Sequence, residues 1–224
     1  MRRRHVDQSS LRADLQPGWV PLDLDPGVDP DEWAARETEL ARRGVEPLPT
    51  SIGAEAAVTM LAAAVRSARV HLDHEAAAHL ALAYMPDPVG RVYATLNALL
   101  LPFDDDVPTT PAAWLAALAA EGGSTVGRTE ADEVDLKRLG PAARFRRLQG
   151  SPESLEVPAA VEDWPTEPVA ASERVLEALT YVALPRGLDG FVHLTAVWDQ
   201  LVLGDEITVV VDQLVATVRL TDRR

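Results

Sequence analysis

Two nearly uninterrupted apolar runs near the C-terminus constrain this chain most. Arg174-Val175-Leu176-Glu177-Ala178-Leu179-Thr180-Tyr181-Val182-Ala183-Leu184 is largely apolar on both alternating faces, the signature of a strand covered on two sides. Pro185-Arg186-Gly187-Leu188-Asp189-Gly190 supplies turn chemistry, and Phe191-Val192-His193-Leu194-Thr195-Ala196-Val197-Trp198 repeats the β-branched and aromatic pattern. The pair predicts a hairpin at the centre of a sheet, with Val182, Leu184, Val192 and Leu194 buried. A segment opening at Gly204-Asp205-Glu206 follows, with Ile207, Val210, Val211, Leu214, Val215 and Val218 at three- and four-residue steps. That spacing predicts a helix over 204–218, and its β-branched content keeps a third strand open as the competing reading.

Elsewhere, helices and hairpins alternate. Gly18-Trp19-Val20-Pro21-Leu22-Asp23-Leu24 predicts an edge strand. Asp29-Pro30-Asp31-Glu32 is an N-cap with proline at the first helical position, and Arg42-Arg43-Gly44 is the matching stop, so a helix is predicted over 30–43 with Trp33 and Leu40 inward. A second helix is predicted from Ser51, with Ala57, Leu61, Val65, Ala68 and Leu72 on one face. Residues 78–85 and 91–100 predict a hairpin, although their alanine and leucine also favour helix. Thr110-Pro111 opens a short helix with Trp114, Leu115 and Leu118 inward. Residues 134–139 and 142–149 flank Gly140-Pro141 as a further hairpin, and 150–171, rich in proline and acid, predicts a long loop.

The expected architecture is therefore α+β: a mostly antiparallel sheet with helices packed on it, in one domain over 18–224 behind a flexible tail at 1–17. At 224 residues the chain can bury a sizeable core, and with no cysteine that core rests on packing alone. A net charge of −14 argues against nucleic acid as a partner. No run is apolar enough to span a bilayer and the basic start leads into no apolar segment, so the expected compartment is the cytoplasm.

From Pro111 to Leu220 the order is helix, polar strand, turn, strand, two apolar strands and a closing helix. This order resembles the PsbP-like α/β/α sandwich, particularly the LpqN-type lipoproteins, in Tyr181-Val182-Ala183, in Val192-His193-Leu194-Thr195-Ala196, and in Asp212-Gln213-Leu214-Val215-Ala216-Thr217-Val218-Arg219-Leu220. The resemblance implies a binding or assembly module. It is not extended to membrane anchoring, because the lipid-bearing cysteine is missing.

Few residues point to chemistry. His71, Glu75 and His79, with His74 between, would stack along one side of a continuous helix, which is the basis of an alternative reading as a small-molecule or metal-dependent enzyme. The spacing departs from H-E-x-x-H, a strand is predicted from Ala78, and neither metal nor cofactor is expected. Asp23, Asp25, Asp29 and Asp31 lack the glycine and glutamate offsets of a calcium loop, Asp104-Asp105-Asp106 is a charged turn, and no Gly-x-Ser-x-Gly or P-loop occurs. Lys137, Arg138, Arg144, Arg146 and Arg147 cluster without an intervening acid. Alternation predicts Lys137, Arg144 and Arg146 on an outward basic face for an acidic protein partner, with Val134, Leu136, Ala143 and Phe145 turned to the core. The ordinary alternative is a solvated hairpin.

Overall fold

The structure, a computed structural model, describes residues 5–43, 52–70, 76–86, 91–120, 129–150 and 175–222. The apolar hairpin is central as predicted: β7 (Val175–Ala183) and β8 (Gly190–Trp198) pair antiparallel, with Tyr181 opposite Leu194. Around them lie β2 (Trp19–Pro21), β3 (Ala78–Tyr84), β4 (Ala94–Pro102), β5 (Glu130–Leu136) and β6 (Gly140–Gly150), giving a seven-stranded antiparallel sheet in the order β2-β3-β4-β8-β7-β6-β5. Val182, Val192 and Leu194 are fully enclosed, whereas Leu184, just beyond β7, is half-buried.

Helices pack on both faces. On one face α4 (Gly204–Val215) lays Ile207, Val211, Leu214 and Val215 over Leu96, Ala98, Leu179, Leu194 and Ala196. The segment is a helix because this spacing collects its apolar residues on one stripe, whose burial outweighs the modest helix penalty of Thr208, Val209, Val210 and Val211. On the other face α2 (Ile52–Val70) buries Ala57, Leu61, Val65 and Ala68 with Ala81 and Ala83 of β3. α1 (Pro30–Arg43) adds Trp33 and Ala34 to that cluster, and its cap forms as predicted, the Asp29 carboxylate accepting the amides of Asp31 and Glu32 at 2.9 and 3.0 Å. Leu40 does not turn inward; it is 52 % exposed. The same face carries α3 (Pro111–Ala120), whose Leu118, Trp114 and Leu115 cover Ala143, Phe145, Val182 and Phe191.

Two sequence expectations need correction. Within the expected tail at 1–17, the described residues 5–17 are not simply a tail: β1 (Ser9–Arg12) pairs antiparallel with β9 (Arg219–Asp222), and Val6 and Leu11 join the α4-side core. The local sequence hides this because the pairing partner lies at the opposite end of the chain. In the β5–β6 hairpin the turn is Lys137-Arg138-Leu139, not Gly140-Pro141. Leu136 pairs with Gly140, which takes φ +86°, a left-handed conformation that glycine adopts without steric cost. The acidic loop at 151–171 lies outside the described residues.

Candidate functional site

Strand alternation decides where the basic cluster goes. In β6, Ala142, Arg144, Arg146 and Leu148 fall on the α4 face, and Ala143, Phe145 and Arg147 on the α3 face. Val134 and Leu136 of β5 pair with Ala142 and Gly140, so they pack toward α4, on the face opposite Ala143 and Phe145. The four apolar residues thus serve two cores.

The arginines on the α4 face turn inward. Both side chains are only 13 % exposed. Arg146 donates from Nε to Glu177 Oε1 at 2.6 Å and from Nη1 to Asp205 Oδ1 at 2.8 Å, with Glu130 3.8 Å away. Glu177 is itself buried in β7 and accepts the indole N–H of Trp198 at 2.8 Å. Burial pulls on the Arg146 guanidinium, but the hydrogen bonds and charges of Glu177, Asp205 and Glu130 outweigh it and raise its pKa above the ordinary value. Gly204 opens α4 against this pair: a Cβ there would lie 2.3 Å from Glu177 Oε2 and 3.0 Å from Arg146 Nη2. Two turns along, Asp212 accepts both Arg144 Nε and Nη2 at 3.3 Å and also the Tyr181 hydroxyl, while Asp132 is 3.6 Å from Arg144 Nη1. The arginines thus tie α4 to the sheet through carboxylates near both of its ends, Asp205 and Asp212.

The other cations scatter. Arg147 donates to the Leu118 carbonyl at 3.5 Å and lies over the Phe145 ring on the α3 face. Arg138, in the turn, pairs with Asp14 at 2.9 Å, and Asp14 also holds Arg219; hydrogen bonds from Arg219 and Arg138 lower the Asp14 pKa. Lys137 is exposed beside it. The outward basic face is therefore not formed.

What faces outward instead is β5. It is the last strand of the sheet, and of its seven residues Glu130, Asp132, Glu133 and Asp135 are acidic. Glu130 and Asp132 lie on the α4 face near the arginines; Glu133 and Asp135 lie on the α3 face, opposite Ala143 and Pro141, and both are exposed. Below the hairpin, Glu130, Arg146, Leu148, Glu177, Leu201 and Asp205 line a cleft of about 230 Å³.

Of the histidine constellation only His79 is described, and it lies on a strand rather than on a helical face. α2 ends at Val70, and His79 lies in strand β3, its Nε2 3.2 Å from Asn97 Oδ1. His71, His74 and Glu75 lie outside the described residues, and among the described residues no three His, Asp or Glu side chains gather to hold a metal. Asp23 and Asp25 of the calcium-like run accept backbone amides two residues on, at 2.9 and 2.8 Å.

Sequence reasoning missed a polar strip on the sheet. Between α2 and α3, β4 and β8 present Thr95, Asn97, His193 and Thr195, all half-buried, while their opposite sides carry Ala94, Leu96, Ala98, Leu194 and Ala196, nearly all sealed. Asn97 pairs with Thr195 and Thr195 with Thr180, whose hydroxyls are 3.5 Å apart. Burial lowers the pKa of His193, which favours its neutral form. The signal was the alternation of polar and apolar residues in Thr95-Leu96-Asn97-Ala98 and His193-Leu194-Thr195-Ala196.

These features define an α+β protein with helices on both faces of an antiparallel sheet, an internally paired arginine clamp and an acidic terminal strand. No family model, curated protein or solved structure matches the chain. No described helix is long and apolar enough to cross a membrane.

Proposed function

We propose that this protein is a non-catalytic interaction or assembly module of the cytoplasm, docking its protein partner along the β5 side of the β5–β6 hairpin. One observation carries the reading: Arg144 and Arg146 are turned inward onto acids, leaving the exposed carboxylates of β5 as the charge a partner meets. The partner surface is consequently basic, the reverse of the sign that the sequence cluster suggested. Exposed charges of this kind steer encounter and set partner choice more than they add raw affinity.

A photo-crosslinking side chain at exposed Ala131 of β5, with a control at exposed Arg36 of α1, tests this in native cells. Ala131 adducts that disappear on Asp135→Lys, with circular dichroism unchanged, support the docking surface. Adducts no more frequent than at Arg36 refute it.

A second reading is favoured by the strip of Asn97, Thr195, Thr180 and His193, whose side chains offer hydrogen-bonding groups to a small uncharged ligand on a largely buried sheet face. Its test is Asn97→Leu, which should abolish binding of any small molecule that co-purifies with the wild type while leaving Ala131 crosslinking intact; unchanged retention of that molecule would discard this reading.

A further inference from the structure

We infer that β5 receives an extended segment of the partner as an additional strand, and that this segment carries lysine or arginine at two positions two residues apart. The inference rests on the docking surface proposed above and specifies its occupant.

Backbone geometry supplies the first half of the argument. β5 pairs with β6 in unbroken register from Glu130↔Arg146 to Leu136↔Gly140, with no bulge, and its seven residues include neither proline nor glycine. As the terminal strand it has a strand neighbour on one side only among the described residues. Alternate N–H and C=O groups on the outer side are therefore positioned to pair with an added strand. The opposite edge differs: β2 has three residues and ends in Pro21, which has no N–H to donate.

Charge supplies the second half. A second copy of β5 would set carboxylates against carboxylates across the new ladder, which is destabilising for directly opposed side chains. Self-association through this edge is disfavoured, and a cationic strand is selected. The two faces of β5 differ further. Glu130 and Asp132 already lie near Arg144 and Arg146, whereas Glu133 and Asp135 stand opposite Ala143 and Pro141, which offer no cation. Complementarity is thus demanded on the α3 face alone, at two side chains about 7 Å apart along the strand. The incoming segment needs its cations on that face and none on the other.

The test uses the full chain, isotopically labelled, and synthetic peptides of the strand's own length. One has two lysines two residues apart among threonine and valine; a second has glutamates there; a third is the lysine peptide N-methylated at alternate residues. The lysine peptide should shift β5 amide resonances and slow their hydrogen exchange. The glutamate and N-methylated peptides should bind at least about tenfold more weakly, and Glu133→Lys/Asp135→Lys should reverse the lysine-over-glutamate preference. Lysine-peptide binding that survives N-methylation, or a preference unchanged by the charge reversal, overturns the inference. If the peptides behave alike while Ala131 crosslinking persists, strand addition fails and the docking surface stands; loss of the crosslink signal as well removes both.

Discussion

Replacing Glu177 with leucine tests the arginine clamp most directly. Glu177 is 6 % exposed and accepts from both Arg146 and the Trp198 indole, so Glu177→Leu strands a guanidinium and an N–H together. Breaking a buried ion pair from one side costs about 3–5 kcal/mol, and an orphaned buried donor about 1–3. Arg146 keeps Asp205 at 2.8 Å, but that carboxylate is 90 % exposed and compensates weakly. The net loss expected is about 3 kcal/mol, or roughly 10 °C in Tm for a chain of this size. Arg146→Met should cost a similar amount, because it leaves Glu177 charged and buried. The double variant replaces the pair with apolar volume and should lose only about 1 kcal/mol, chiefly the Trp198 N–H, giving a coupling of several kcal/mol. Urea unfolding followed by circular dichroism measures all three. Single effects that add to within about 0.5 kcal/mol would show two independent surface charges and refute the clamp.

Three further outcomes are expected. Gly204→Ala, ordinarily favourable in a helix by up to about 1 kcal/mol, should destabilise by about 1–3 kcal/mol because its Cβ meets Glu177 Oε2; in a Glu177→Ala background the sign should revert, as read by thermal melting. Deleting residues 1–13 should lower stability by about 3–5 kcal/mol through loss of buried Val6 and Leu11 and of the β1–β9 ladder; an unchanged melting temperature would restore the tail reading. Because burial lowers the His193 pKa, the unfolded chain binds a proton that the folded one resists. Stability should therefore be fully present above the unfolded value near 6.5 and fall as pH drops below it toward the lowered folded value, and His193→Gln should flatten that slope in pH-dependent unfolding.

Local pattern alone determined the β7–β8 hairpin and the capped helix α1, because each is encoded within one short window of sequence, whereas the apolar stripe of 204–215 left helix and strand both open until its packing on the sheet made it a helix. Alternation also fixed which β6 residues share a face. What alternation could not supply was the occupant of each face. The acids that accept hydrogen bonds from Arg146 and Arg144 lie 31 to 68 positions away, at Glu177, Asp205 and Asp212, and only the packing of β7 and α4 against β6 brings them within reach. Ser10 meets Thr221 across 211 positions for the same reason, so the N-terminal strand is invisible until the C-terminus is in place. Sequence thus identified the charged hairpin, whereas tertiary structure decided which of its charges face outward, because a charge's availability depends on neighbours that only folding assembles.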